Sequence, residues 1–176
     1  MLQPYLAVAA VVAAASLLQV ANGLIGLLLP VELAAAGQSG TVVGLVATAY
    51  GAGFLLGCLR APRLVRAVGH IRAFAALAAL SEATTLLFLA TTAPWLWIGL
   101  RFATGFFLAG IYPVGMKIAA SWYARGLGAA LGLLVGALVL GTAAPHGLRA
   151  LGAAWPWQTV MLAVSAFAAA GGGLLG

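Results

Sequence analysis

Long apolar stretches alternate with short polar breaks along the whole chain, at a spacing that suits the hydrocarbon core of a bilayer. A spanning helix needs about 20 mainly apolar residues, and six runs of that order can be drawn, over residues 4–29, 40–59, 71–91, 94–121, 126–148 and 156–176. Pro30, the turn "AGQSG" at 36–40 and the arginine-bearing stretch "GCLRAPRLVRAVGHIR" at 57–72 supply the first breaks. A turn near Thr92–Ala93 separates the third run from the fourth. The longest connection is about a dozen residues, which leaves no room for a soluble domain between runs. The pattern predicts an all-α integral membrane protein with six transmembrane helices, a single domain over residues 1–176.

Composition sharpens that picture. Hydrophobic residues make up 65% of the chain and charged residues 6%, against about 25% charged in a soluble domain. Too little polar surface exists to face water all round. A formal charge of +6 raises nucleic acid as a partner, but binders of nucleic acid place their bases on a wet face. Here the bases lie between apolar runs, so no nucleic-acid partner is expected. Cys58 is the single cysteine and forms no internal disulfide.

The positive charge is unevenly placed. Arg60, Arg63, Arg66 and Arg72 lie in or beside the second connection, and Lys117 and Arg125 flank the fourth. Both connections fall on one side of the membrane. Arg149 lies on the other side with Glu32, and Arg101 lies inside the fourth run. Loops rich in Lys and Arg stay in the cytoplasm, which predicts both termini inside, in a plasma (inner) membrane. No Lys or Arg precedes Arg60, and the first run far exceeds the 7–15 apolar residues of a signal peptide, so it reads as a retained helix. Trp95, Trp97, Trp155 and Trp157 gather at the two outer turns and Trp122 at the inner side, where indoles favour the interface.

The fifth run carries Gly128, Gly132 and Gly136 at four-residue spacing, then Gly141. Small residues so placed let helix backbones approach in lipid, which predicts a tight helix contact along that stripe.

An ionisable side chain at mid-bilayer costs about 2.5–3.5 kcal/mol on insertion scales and marks a functional candidate. Glu82 in the third run and Arg101 in the fourth qualify. They lie roughly 15 Å and 10 Å below their shared turn at a rise of about 1.5 Å per residue, within reach if their faces match. Gln19, Asn22 and Gly23 precede Gly26 and Pro30 in the first run, and Thr104, Gly105, Gly110, Tyr112 and Pro113 follow Arg101 in the fourth. Polar, broken helices mark solute sites in transporters. Their recurrence in the first and fourth runs suggests a three-plus-three bundle. Tyr50 and His146 read as single polar residues satisfied locally. Two scattered carboxylates, two histidines and one cysteine offer neither metal-ligand spacing nor a nucleophile–base pair, so neither an enzyme nor a cofactor is expected.

These residues resemble the amino-terminal six-helix half of a major facilitator superfamily transporter. The likeness rests on Gly57, the arginines, Gly69 and Arg72 between helices two and three; on "RFATG" at 101–105 followed by Gly110; on Gly132, Gly136, Gly141 and Pro145; and on "PVGMKIAASWYARGLGAALG". Ala61 stands where the family's loop carries an acid, Thr104 replaces a glutamine, and helix five lacks an adjacent Gly–Pro pair.

The resemblance implies secondary transport of a small solute by alternating access. Arg101 would bind the solute or couple transport, with Glu82 as its possible counter-charge. Gln19, Asn22 and Tyr112 would line the cavity, and Gly57, Arg63, Arg66, Gly69 and Arg72 would form the cytoplasmic gating loop. The positive cavity hints at an anionic solute. The chain stops after the sixth run, so a second transporter half or a second copy would complete the cavity, with membrane lipid around it. The alternative is a non-transporting assembly factor or regulatory subunit that keeps only the bundle.

Overall fold

A chain dissolved in lipid has to satisfy its backbone N–H and C=O groups within each segment, and a long helix does so. The computed structural model describes residues 3–91, 93–122 and 126–150, with 156, 158, 159, 162, 163 and 166. Among them are five long helices: α1 (Gln3–Ala35), α2 (Gly40–Val68), α3 (His70–Leu87), α4 (Pro94–Trp122) and α5 (Leu127–Ala150), with one 3-10 turn at Phe88–Ala90 after α3. All five are long and apolar enough to cross a membrane. The sixth expected run, 156–176, lies largely outside the described residues, as do Arg125, Trp155 and Trp157.

The second connection differs from the expected loop. Helix α2 does not stop near Leu59 but continues through Pro62 to Val68. Its last turns, "LRAPRLVRAV", are mostly strong helix formers, and one proline removes only one donor. The helix ends at Gly69, whose φ of 84° and ψ of 166° suit a residue without a Cβ. Its N–H bonds the Val65 carbonyl at 2.9 Å, and α3 begins at the next residue. Gly57, Arg63 and Arg66 are therefore helical, Gly69 is the whole joint, and Arg72 lies in the first turn of α3.

Helix α2 packs along α4, α3 against the same α4, and α1 along α5. The α2–α4 contact brings backbones together. A Cβ on Gly53 would fall on the Phe102 carbonyl oxygen, one on Gly57 on that of Phe106, and one on Gly105 on that of Tyr50. The order of these contacts makes α2 and α4 parallel. Helices α1 and α5 also run parallel, with Gly141 beside Ser16 and Gln19, and Gly23 beside Pro145. Among the described residues the close helix contact lies on α2 and α4, and on Gly141, the last member of the expected stripe. Around Gly128, Gly132 and Gly136 a Cβ would meet nothing within 4 Å among the described residues.

The buried apolar side chains form two clusters at different depths. One gathers Val12 and Leu18 of α1, Phe74 and Leu77 of α3, Leu108 through Ile118 of α4, and Leu134 of α5. The other gathers Ile25, Leu29 and Leu33 of α1 with Val46, Phe88 and Trp97. Trp97 turns inward rather than to the interface: its Nε1 donates to the Thr91 carbonyl at 2.9 Å, and its ring lies 6.5 Å from that of Phe88. Trp95 stays exposed.

Candidate functional site

Between the two apolar clusters lies a layer of buried polar side chains. On α1, Asn22 falls between Leu18 and Ile25; on α4, Arg101 and Thr104 fall between Trp97 and Leu108; on α3, Ser81, Glu82, Thr84 and Thr85 fall between Leu77 and Phe88. Burying such groups costs free energy unless they find partners. Concentrating them at one depth lets each supply the other's partner.

Arg101 is the centre of this layer. Only 7% of it is exposed, so its five N–H donors must be met from within the bundle. Its Nη1 donates to Asn22 Oδ1 at 2.9 Å. Its guanidinium carbon lies 4.5 Å from the centroid of the Tyr50 ring, within cation–π range. Asn22 then uses its other end, Nδ2 donating to the Tyr50 hydroxyl at 3.3 Å. The cation dictates this orientation, since only the amide oxygen can accept from it. Three helices, α1, α2 and α4, each contribute one member. A Cβ on Gly26 of α1 would come 3.6 Å from Arg101 Nη2, so the bare side of that glycine borders the guanidinium.

A second set of polar contacts joins α3 to α4. Thr84 Oγ1 donates to the Ser81 carbonyl at 2.8 Å and accepts from Thr104 Oγ1 at 3.1 Å. Thr104 also lies 2.8 Å from the Leu100 carbonyl, so one hydroxyl proton serves two acceptors. This threonine, at the expected glutamine position, works as a helix-to-helix link.

Of the expected site residues, Asn22 and Arg101 meet directly. Tyr112 is half-buried on α4. Its hydroxyl meets no hydrogen-bond partner among the described residues. Gln19 sits beside Gly141 of α5. Glu82 is buried on α3, while the contacts described for Arg101 go to α1 and α2. Gly57 packs on Phe106 and Ala109, a role in helix contact. Arg63, Arg66, Gly69 and Arg72 are exposed at the α2–α3 end.

Tyr50 is the member that the sequence does not announce. A lone tyrosine in an apolar helix carries no periodic signal, and only the α2–α4 contact decides what its ring covers.

A model of the family described as the Major Facilitator Superfamily matches residues 11–175. No curated protein matches the chain.

Proposed function

The chain belongs to the major facilitator superfamily, and on that premise we propose that it carries a small solute across the membrane by alternating access, as the amino-terminal half of a twelve-helix transporter. It is an integral, multi-pass membrane protein of the transporter type. The observation that carries the reading is the Asn22–Tyr50–Arg101 cluster: a cation held at depth between two apolar layers.

The helix pairing supports a three-plus-three arrangement. Exchange α1 with α4 and α2 with α5, and the parallel pair α1–α5 becomes the parallel pair α4–α2. Inversion in the membrane plane is the relation expected of such repeats. The placement of Arg60, Arg63, Arg66, Arg72 and Lys117 at one end of the bundle supports cytoplasmic termini; the plasma (inner) membrane is part of the same proposal.

In this reading Arg101 attracts an anionic group of the solute or couples its movement, and Asn22, Gln19 and Tyr112 line its path, with Glu82 as counter-charge in the same layer. Arg63, Arg66, Gly69 and Arg72 gate the cytoplasmic end, with Gly57 holding α2 against α4. A second half, or a second copy, closes the cavity.

Uptake of a panel of radiolabelled small organic acids into proteoliposomes tests this. Transport by the unaltered chain reconstituted with its second half or as a two-copy assembly, lost by about 100-fold or more in Arg101→Ala with normal membrane insertion, is the expected result. Equal rates in both would remove Arg101 from the mechanism.

A further inference from the structure

The end of the bundle where α2 gives way to α3 carries cations without any acid to match them. Arg66 ends α2, His70 and Arg72 open α3, and Lys117 lies near the end of α4. The chain has two side-chain carboxylates in all. Glu32 lies near the end of α1 that adjoins the start of α2, and Glu82 lies within α3. No side-chain carboxylate stands among these bases.

Two cavities open at this end. One, of about 390 Å³, runs between α2 and α4 and has Arg66, His70 and Lys117 on its wall. The other, of about 370 Å³, has His70, Arg72 and Lys117. Both fall in the size range of ligand sites, about 300–1,000 Å³. They share His70 and Lys117. The His70 Nε2 is buried and has no hydrogen-bond partner among the described residues.

The larger cavity has a physical origin. Gly53, Gly57 and Gly105 hold α2 and α4 backbone to backbone in the middle of the bundle. Nearer this end Gly110 of α4 still meets Ala61 of α2, and beyond that contact the rings of Pro62 on α2 and Pro113 on α4 form the wall. The result is a groove apolar along Pro62, Val65, Pro113 and Val114 and cationic at Arg66 and Lys117. A free inorganic anion has use for the cations but none for the apolar walls. A phospholipid uses both, since basic pockets between membrane helices accept lipid headgroups.

We propose that the groove between the ends of α2, α3 and α4 binds an acidic membrane phospholipid, its phosphate among Arg66, His70 and Lys117 and an acyl chain along Pro62, Val65 and Pro113. The site is separate from the Arg101 cluster and shares only Arg66 with the proposed cytoplasmic gate.

Native mass spectrometry of the purified full chain in detergent, with phosphatidylglycerol or phosphatidylcholine of matched acyl chains, tests this directly. The acidic lipid is expected to be retained preferentially. Each cation near the surface contributes about fivefold to such binding, so the double variant Arg66→Gln/Lys117→Gln should lose the preference by more than tenfold. Arg60→Gln/Arg63→Gln removes the same charge from outside both cavities and should keep it within about twofold. Equal retention of the two lipids, or equal losses in both double variants, would overturn the site. So would inorganic phosphate binding as tightly as the lipid. A readout on the unaltered chain guards against misfolded variants: Cys58, the single cysteine, lies on the groove wall. Its alkylation by a maleimide should slow several-fold with the acidic lipid and not with phosphatidylcholine. An unchanged rate, or slowing that follows protein concentration in phosphatidylcholine alone, would assign the groove elsewhere.

Discussion

The guanidinium of Arg101 rests 4.5 Å above the ring of Tyr50, although the two arrive on different helices. A desolvated cation–π contact contributes about 2 kcal/mol, and a hydrogen bond to a charged group about 1.5–3 kcal/mol. The cost of an arginine at mid-bilayer is about 2.5–3.5 kcal/mol. Neither contact alone reliably offsets that cost; the ring and the amide together do.

The two contributions of Tyr50 separate by substitution. Tyr50→Phe keeps the ring under Arg101 and loses the Asn22 bond, for about 1 kcal/mol. Tyr50→Ala loses the ring as well and should cost about 3–5 kcal/mol, as aromatic truncations in cores do. Thermal unfolding in detergent, followed by tryptophan fluorescence, reads the difference. Equal losses would mean that the ring does not hold the cation.

Asn22 supplies an acceptor to Arg101 and a donor to Tyr50. Asn22→Leu strands the guanidinium and should destabilise by about 3 kcal/mol or more, as breaking a buried charge interaction does. Asn22→Asp offers the same oxygen geometry with a charge, and the tyrosine hydroxyl can rotate to donate to it. It should therefore fold at least as well as the unaltered chain. The same unfolding assay ranks the two, and the reverse order would refute the bridge.

Glycines that look alike along the chain should respond in opposite ways. Gly53→Ala and Gly105→Ala each place a Cβ on a backbone carbonyl of the other helix, and overpacking of this kind costs about 1–3 kcal/mol or more. Gly132→Ala and Gly136→Ala meet nothing within 4 Å among the described residues and should stay within about 0.5 kcal/mol or gain slightly from helix propensity. Melting temperatures of the four single variants decide the matter. Equal sensitivity of Gly132 would show that the stripe is a contact after all.

Gly69 is a conformational prediction. Its φ of 84° with ψ of 166° lies where only glycine is at ease, and another residue there costs about 1–3 kcal/mol. Gly69→Ala should lower stability by that amount, and Gly37→Ala, at φ 72° in the α1–α2 turn, serves as a comparison at a second positive-φ site. A neutral Gly69→Ala would mean that the joint takes another conformation.

The sequence announces what lipid makes expensive. Apolar length gives the first five helices, insertion cost singles out Arg101, and Asn22 stands out as a polar position of the first run. But the sequence offers Glu82 as Arg101's partner and does not show that Asn22 meets it. What it hides depends on neighbours. Gly57 and Pro62 read as breakers in water-trained rules, yet α2 runs through both, because a helix is the cheapest way to satisfy backbone groups near a bilayer. The spacing of Gly128, Gly132 and Gly136 is visible, but spacing does not say what stands opposite. Tyr50 becomes legible only once Gly53 and Gly105 fix which face of α2 meets α4.

That interlocked pair has a mechanical consequence. With carbonyl oxygens of Phe102, Phe106 and Tyr50 seated where side chains would otherwise be, α2 and α4 cannot slide past one another without first separating. They behave as one beam. Because Gly69 is the whole joint beyond α2, a force applied at the arginine-rich end has almost no slack in which to dissipate before it reaches α3. A displacement there is delivered along the beam to the level of Arg101.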